Sequence, residues 1–177
     1  MLHLLENWTD KDYQSKHYKT GMYGGKFMPM HKGHLYCLEQ ACRLCDKIYL
    51  ILFVDGSFEK TKLDFPNNDI LSIESRWNQV QKAAKMFGNK VVPLIINVAN
   101  CVADDGEEDW DSETPLILNA CRHFDVVFAS EIDYVPYFKR AYPWADCIIV
   151  DSNRVEVPIS ATDIRSMDAK EAKKWLV

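Results

Sequence analysis

A nearly continuous apolar segment, KIYLILFV at Lys47–Val54, constrains the fold of this chain more than any other feature. A strand that packs against helices on both faces has such a run, whereas a strand with one solvated face alternates apolar and polar residues. Segments with helical periodicity separate it from four other strand-like segments. The predicted strands cover 21–27, 47–54, 90–98, 125–129 and 146–150, and the predicted helices cover 33–45, 72–87, 113–123, 134–142 and a region that starts near 160.

This alternation predicts an α/β fold, a Rossmann-like, doubly wound, parallel five-stranded sheet with helices on both faces. A chain of 177 residues is long enough for one ordinary domain. We expect that domain at residues 20–177, preceded by an N-terminal appendage at residues 1–19. In such sheets ligands bind beyond the carboxyl ends of the strands. The residues that follow each strand are therefore the candidates for a functional site.

Composition and charge exclude several classes of function. The net charge of −5 argues against a protein that binds nucleic acid through a basic surface. No apolar run approaches the roughly 20 residues of a membrane span, and the N-terminal segment lacks the apolar stretch of a secretory signal. We therefore expect a cytoplasmic protein that engages neither nucleic acid nor a membrane.

The six cysteines include a C-x-x-C pair, Cys42 and Cys45, with Cys37 nearby. A structural zinc site needs four ligands, and the sequence has no second matching pair. We favour buried core thiols on a helix, and no metal site is predicted. A zinc or redox module stays as an alternative that a metal analysis would reveal.

The first predicted strand runs into G-K-F-M-P-M-H-K-G-H at residues 25–34. Gly25 and Gly33 lack a side chain, so a phosphate can approach the backbone closely. The following helix should present free N–H groups and the positive end of its dipole. His31 and His34, three residues apart, face the same way on its first turn. The segment therefore predicts a phosphate-binding site.

This segment resembles the G-x-F-x-P-x-H-x-G-H signature of the nucleotidylyltransferase superfamily, at every fixed position. Such enzymes join a nucleoside monophosphate from ATP or CTP to a phosphate-bearing acceptor and release pyrophosphate. The resemblance implies that His31 and His34 are catalytic and that Gly25, Lys26, Phe27 and Gly33 contact the nucleotide.

A second segment, I-S-A-T-D-I-R at 159–165, resembles the I-S-x-T-x-I-R motif of the same superfamily. Ser160 and Thr162 are residue types that cap helices, so a helix should begin here. Arg165 lies one turn in, and its planar guanidinium suits the oxygens of a leaving pyrophosphate. The resemblance places Arg165 among the catalytic residues and the adenine near residues 151–159. Asp151, Arg154, Ser160 and Thr162 are the ATP-binding candidates in this part of the chain.

The choice of acceptor depends on a narrower resemblance. The S-x-x-x-R-W spacing at residues 72–77, the Trp110-Asp111 and Ser130-Glu131 pairs, and V-D-S-N-R-V at 150–155 resemble NadR-type nicotinamide mononucleotide adenylyltransferases. The resemblance covers roughly residues 20–166. It implies that ATP and nicotinamide mononucleotide are the substrates, that NAD and pyrophosphate are the products, and that Mg²⁺ arrives with ATP. No Walker A loop occurs in the sequence, so we expect a stand-alone transferase without kinase activity.

Four residues are candidates to bind this acceptor. Trp77 and Trp110 offer ring faces for a cationic nicotinamide, although Trp77 suits the core of its helix equally well. Asp55 follows the second predicted strand, and Arg76 could take the acceptor phosphate. Six of the eight residues at 104–111 are acidic; a solvated loop is the favoured interpretation, with a divalent-metal site as the alternative.

Other readings stay open on the sequence alone. The acceptor could instead be that of a cytidylyltransferase or of a phosphopantetheine-type adenylyltransferase, and a non-catalytic nucleotide sensor would keep the same pocket. The sequence does not distinguish the amide from the acid form of the mononucleotide. It leaves the oligomeric state open, with a homo-oligomer as one outcome.

Overall fold

A computed structural model describes residues 1–60, 64–66, 68–103, 105–106 and 108–177. Its described residues form one parallel sheet of six strands. The strands are β1 (Leu2–Leu4), β2 (Tyr18–Gly25), β3 (Cys45–Val54), β4 (Val91–Asn97), β5 (Val126–Ala129) and β6 (Asp146–Ile149).

Helices connect the strands, as the alternating pattern predicts. The α-helices are α1 (Asp10–Ser15), α2 (Lys32–Leu44), α3 (Gly56–Lys60), α4 (Ile73–Lys85), α5 (Trp110–Cys121), α6 (Val135–Ala141), α7 (Ala161–Ser166) and α8 (Ala169–Ala172), and short 3-10 turns occur at Leu5–Asn7, Asn68–Leu71, Gly88–Lys90 and Ile132–Tyr134. No described helix is long and apolar enough to cross a membrane.

The strand order is β1-β6-β5-β2-β3-β4, and every pair is parallel. The α/β, Rossmann-like fold is confirmed, but the expected count of five strands was wrong. The sixth strand, Leu2–Leu4, pairs with β6 in the register Leu2↔Cys147. A strand of three residues is too short to show an alternation of apolar and polar residues. The sequence therefore did not predict this edge strand.

Apolar side chains fill a core on each face of the sheet, which explains the unbroken apolar run of β3. Ile48, Leu50 and Leu52 point into the core beneath α2 and α4, whereas Ile51 points into the core beneath α5 and α6. A strand with apolar side chains on both faces needs a layer of helices on each side of the sheet, because one layer buries only one face. The cysteines belong to these cores: all six are buried free thiols.

The chain runs outward from β2 in two directions, first through β3 and β4 and then through β5 and β6. The carboxyl ends of β2 and β5 therefore mark the point where the strand order reverses. Crevices at such a point are where open α/β sheets bind ligands.

Candidate active site

A cavity of about 230 Å³ opens at this reversal point. Gly24, Gly25 and Ser130 supply its floor at the ends of β2 and β5. Its other walls come from both sequence motifs, and include Lys26, Phe27, His31, Gly33, His34, Asp151, Arg154, Ala161 and Arg165. The fold thus brings together two segments that lie more than 120 residues apart in the chain.

His31 is the N-cap of α2, and its side chain folds back over the first turn. Its Nδ1 accepts the backbone N–H of Gly33 at 3.0 Å. A Cβ on Gly33 would lie 2.9 Å from the Cε1 atom of this imidazole, closer than packed carbon atoms approach. The glycine between the two histidines is therefore required by the position of the His31 ring.

His34 completes the cap from the other side. Its Nδ1 accepts the backbone N–H of His31 at 3.2 Å, and the two ring centroids lie 3.8 Å apart. The Phe27 ring packs edge-on against His34 with centroids 5.0 Å apart. Phe27 has a positive φ of 45°, which is uncommon for a residue with a Cβ. The packing of its ring against His34 stabilises this conformation of the loop that leads into α2.

Both imidazoles are kept neutral. Burial lowers the pKa of His31 to about 4, and the nearby Arg154 adds to the shift. Burial and the neighbouring His31 hold the pKa of His34 well below its usual value. Because each Nδ1 accepts a hydrogen bond, the proton of each neutral ring is on Nε2. The pair therefore offers two Nε2–H donors.

The start of α2 does not offer the free backbone amides that we expected. The N–H of Lys32 donates to the carbonyl of Trp175 at 2.8 Å, and the N–H of Gly33 is taken by His31. The C-terminal segment reaches this position by folding back so that Leu176 forms a β-bridge with His31. Side chains rather than helix amides are thus the hydrogen-bond donors at this end of the cavity.

Arg165, on α7, also lines the cavity. One guanidinium nitrogen donates to the Met28 carbonyl at 2.7 Å and the other to Thr162 Oγ1 at 2.9 Å. Its Nε is buried and has no hydrogen-bond partner among the described residues. An unpartnered buried N–H is costly, and an anionic oxygen in the cavity would satisfy it.

Other ATP-binding candidates support the loop rather than face the cavity with free groups. Asp151 accepts backbone N–H groups from Val155, Glu156 and Val157. Ser160 caps α7 and exchanges hydrogen bonds with Asp163. Neither Ser160 nor Thr162 is among the residues that line the cavity.

Arg154 remains at the cavity wall. It donates to Glu131 at 2.8 Å and to the Ile159 carbonyl at 3.3 Å. With Lys26 and Arg165 it makes three cationic side chains around the cavity, against the two carboxylates of Glu131 and Asp151. Both carboxylates already accept hydrogen bonds from within the protein, so the balance of charge favours an anionic ligand.

A second cavity, of about 360 Å³, adjoins the first. Its walls are largely aromatic. The ring centroid of Trp110 lies 5.1 Å from that of Tyr134 and 5.7 Å from that of Tyr137. Phe53, Phe138 and Tyr142 complete the wall, and Glu108 and Glu113 are its carboxylates. Gly24, Gly25, Lys26, Ala129 and Tyr134 line both cavities. The two cavities are therefore halves of one crevice, with Lys26 at the junction.

Arg76 corrects the expectation that it binds the acceptor phosphate. Its side chain is fully buried and donates to the carbonyls of Lys26 at 2.6 Å and Leu71 at 3.0 Å. It also forms an ion pair with Glu59. Arg76 thus ties the end of β2 to α4 from inside the protein, and the guanidinium is not available to a ligand.

Two further acceptor candidates lie outside the crevice. Trp77 packs against the core beneath α2 and α4, so the core interpretation holds and the ligand interpretation is corrected. Asp55 follows β3 at the expected edge of the sheet, but it is not among the residues that line either cavity. Of the four acceptor candidates, Trp110 alone lines the crevice.

The acidic stretch has structural partners where it is described. Glu108 pairs with Lys26 at 3.0 Å, Asp109 accepts the Asp111 N–H at the start of α5, and Asp111 pairs with Arg140. Asp104 and Glu107 lie outside the described residues. The part of the chain that the structure describes contains no cluster of three or more His, Cys, Asp or Glu that could hold a metal ion.

Sequence reasoning missed most residues of the second cavity, among them Tyr134 and Glu113. Glu113 is buried on α5 at the spacing of Ile117 and Cys121, four and eight residues on. A carboxyl in the apolar stripe of a helix is a signal that the sequence carried. Tyr134 lies in the turn before α6 and has no such signal.

Comparison with known proteins agrees with this geometry. The cytidylyltransferase-like family matches residues 22–167. A phosphopantetheine adenylyltransferase of Streptococcus pneumoniae (strain ATCC 700669 / Spain 23F-1) is 40% identical over 154 residues, which cover 84% of this chain and 83% of that protein. A phosphopantetheine adenylyltransferase of Mycoplasma mycoides is 30% identical over 150 residues, covering 85% of this chain and 96% of that protein.

The trifunctional NAD biosynthesis/regulator protein NadR of Escherichia coli (strain K12) is 21% identical over 173 residues, covering 93% of this chain and 40% of that protein. Among solved structures, NadR in complex with NAD and AMP-PNP is similar with a TM-score of 0.65 and 18% identity, covering 91% of this chain. This chain spans 45% of that solved protein. At such identities the likeness concerns the fold.

Proposed function

The chain belongs to the cytidylyltransferase-like family of the nucleotidyltransferase superfamily, and on that premise we propose that it is an adenylyltransferase that transfers AMP from ATP to an acceptor with a terminal phosphate. The family match and the crevice together support nucleotidyltransferase activity for this chain. The observation that supports the proposal most directly is the crevice itself. The first cavity, which we call the cationic half, and the second cavity, which we call the aromatic half, meet at Lys26.

The cationic half suits the ATP phosphates. The Nε2–H groups of His31 and His34 donate to phosphate oxygens near the point of transfer, and Arg165 takes the oxygens of the leaving pyrophosphate. Fixed donors of this kind stabilise the charge that develops on the transferred and leaving groups. The adenine lies beside residues 151–159, a loop that Asp151 orders by accepting the backbone N–H groups of Val155 and Val157.

The reaction is an in-line displacement at the α-phosphorus of ATP. An oxygen of the acceptor phosphate forms the new P–O bond, and the bond to the β-phosphate oxygen breaks and releases pyrophosphate. The attacking oxygen is already anionic, so no proton has to be removed and no general base is required. Catalysis consists of positioning two anions and stabilising charge.

For the acceptor, the aromatic half supports nicotinamide mononucleotide. A flat cationic ring gains from the faces of Trp110 and Tyr134 and from the Glu108 carboxylate at the cavity wall. With the ring in this half, the 5′-phosphate reaches Lys26 at the junction. The products are then NAD and pyrophosphate.

Phosphopantetheine is the second candidate, and the comparisons favour it by name. Relatives at 30–40% identity over most of this chain are phosphopantetheine adenylyltransferases. Its phosphate would occupy the same junction, with the pantetheine arm in the aromatic half. An adenylyltransferase of coenzyme A synthesis is therefore a direct competitor for the acceptor assignment.

We propose that Mg²⁺ enters with ATP, bound mainly by phosphate oxygens and water. The two carboxylates that line this half, Glu131 and Asp151, already accept hydrogen bonds from Arg154 and from backbone N–H groups, so the phosphates rather than the protein would hold the metal ion. The bound ion would neutralise part of the charge on the leaving pyrophosphate.

The experiment is pyrophosphate release from ATP and Mg²⁺ with nicotinamide mononucleotide and phosphopantetheine in parallel reactions. A kcat/KM at least tenfold higher with nicotinamide mononucleotide supports the first acceptor, and the reverse ratio supports the second. CTP in place of ATP tests the nucleotide. Release with neither acceptor, despite ATP binding measured by calorimetry, would overturn the proposed transferase and favour a nucleotide sensor.

A further inference from the structure

A buried carboxyl group lines the aromatic half of the crevice. Glu113 is 5% exposed, and its Oε1 has no hydrogen-bond partner among the described residues. It projects from the same face of α5 as the core residues Ile117 and Cys121. A buried acceptor without a partner costs stability, so its presence at a cavity wall calls for a ligand that supplies the partner.

The surroundings keep this carboxyl protonated. Burial, followed by the Glu108 carboxylate to which it is hydrogen-bonded, raises the pKa of Glu113 to about 8. Asp109 acts in the same direction, and Lys26 opposes it. Among the residues that the structure describes, the other titratable groups that interact with Glu113 are Cys101 and the hydroxyls of Tyr134, Tyr137 and Tyr142, whose pKa values are raised. Each of these four groups is therefore neutral at neutral pH.

A protonated carboxyl group has one O–H donor and an oxygen that accepts. The O–H of Glu113 is donated to the Glu108 carboxylate, so the unpartnered Oε1, which accepts, is the atom left for a ligand. A carboxamide suits this oxygen because its N–H donates. A carboxylate at the same position would lack an N–H to offer and would add a negative charge beside Glu108. Sites that pair with a polar group of the correct ligand discriminate strongly against an analogue that cannot make the pair.

We propose that Glu113 is a specificity-determining residue that hydrogen-bonds an uncharged carboxamide of the acceptor and rejects an acceptor with a carboxylate at that position. The inference rests on the proposed function and names the chemistry that the aromatic half selects. Both candidate acceptors carry an amide: nicotinamide mononucleotide on its ring, and phosphopantetheine along its arm.

The test compares the wild type with Glu113→Gln and Glu113→Leu. Steady-state pyrophosphate release gives KM and kcat for nicotinamide mononucleotide, nicotinic acid mononucleotide and phosphopantetheine. Asp111→Asn is the matched control, since Asp111 is an exposed acid on the same helix whose partner is Arg140. Thermal unfolding of each variant identifies any loss of fold.

We expect the wild type to have a KM for the amide mononucleotide at least about tenfold below that for the acid. Glu113→Leu should raise the KM of the amide-bearing acceptor at least about tenfold with kcat within threefold, because one hydrogen-bonded contact is lost. Glu113→Gln can still donate and accept, so it should keep the KM for the amide within about threefold and lower the KM for the acid. Asp111→Asn should change neither. The same KM increase in the phosphopantetheine reaction would identify a pantetheine amide as the group bound.

Wild-type KM values for every acceptor in Glu113→Leu would overturn the inference while leaving the proposed transferase intact, as would equal use of the amide and the acid by the wild type. A wild type that is inactive with all three acceptors would instead contradict the proposed function. In that event calorimetric titration with each mononucleotide decides the inference. Tenfold weaker binding of the amide by Glu113→Leu supports it, and equal affinities overturn it.

Discussion

The backbone N–H of His31 donates to Nδ1 of His34 at 3.2 Å, while Nδ1 of His31 accepts from Gly33. The two histidines of the motif thus cap α2 with one ring nitrogen each and keep the other for the cavity. In the proposed reaction this division accounts for histidine at both positions: the cap requires an acceptor, and the ATP phosphate would require a donor on the far side of the ring. Asparagine could cap the helix but would not reach the phosphate.

That division gives the first prediction. His34→Asn keeps a side-chain oxygen that can accept the His31 N–H but loses the Nε2–H donor. We expect kcat to fall at least ~100-fold, the usual scale for one such donor, with the melting temperature little changed. His34→Ala should lose the same activity and also the cap. His17→Ala, at an exposed histidine paired with Asp46, is the control. Wild-type turnover in His34→Asn would remove the main support for the role of His34.

The pH dependence of catalysis follows from the neutral rings. In the free protein the pKa of His31 is about 4 and that of His34 is also lowered. We expect kcat/KM for ATP, which reports the free enzyme, to be flat from pH 6 to 8 as far as the histidines contribute. It should fall only below about pH 5, because a proton on Nδ1 of His31 displaces the Gly33 N–H and breaks the cap. A loss of activity with an apparent pKa near 6.5 would contradict this account.

Arg165 gives a prediction on the leaving-group side. Arg165→Lys keeps the charge but cannot replace the guanidinium hydrogen bonds to Met28 and Thr162 while offering a further N–H to the cavity. We expect kcat/KM for ATP to fall about 10- to 100-fold. Arg140→Gln, at an exposed arginine, should leave it unchanged. Wild-type kcat/KM in Arg165→Lys would show that a positive charge is sufficient at this position and that the guanidinium geometry is not required.

The sequence predicted the layers of the fold because β3 is apolar without interruption and the helices between strands are periodic. It also identified the segments around His31 and Arg165, where fixed spacing after a strand constrains the chemistry. It could not predict β1, whose three residues pair with a strand more than 140 residues away. Nor could it show that the Lys32 amide is taken by Trp175, because that contact depends on how the C-terminal segment folds back.

The residues proposed to bind the acceptor were the least predictable part of the candidate site. Arg76 and Trp77 have side chains of the right chemistry, but α4 turns both inward. Trp110 begins α5 and reaches the crevice, and Glu113 follows it by three residues on the same helix. The orientation of a helix relative to the sheet decides which of its residues face a ligand, and local sequence does not encode that orientation.

The stability of the protein should depend on pH through Glu113. Its pKa is raised from 4.5 to about 8 in the folded protein, so between these values the folded state binds more protons than the unfolded state. The free energy of unfolding should therefore fall as pH rises from about 4.5 to 8. Glu113→Gln carries no titrating group, so its melting temperature relative to the wild type should rise between pH 5 and pH 9. The contrast is to be measured by thermal unfolding, with Asp111→Asn as the control, and a difference that does not change with pH would contradict the assigned protonation.

The last prediction tests whether Arg76 has a structural role or binds the acceptor phosphate. Removing one member of a buried ion pair leaves an uncompensated charge and typically costs about 3–5 kcal/mol. We expect Arg76→Met to lose that much stability in urea unfolding, since Glu59 loses its partner and the carbonyls of Lys26 and Leu71 lose their donor. The double variant Glu59→Leu with Arg76→Met should recover part of the loss, because no buried charge then remains unpaired. Arg140→Gln breaks an exposed pair and should cost less than about 1 kcal/mol. If Arg76 instead bound the acceptor phosphate, Arg76→Met would raise the acceptor KM and leave stability near that of the wild type, which is the opposite of what its burial predicts.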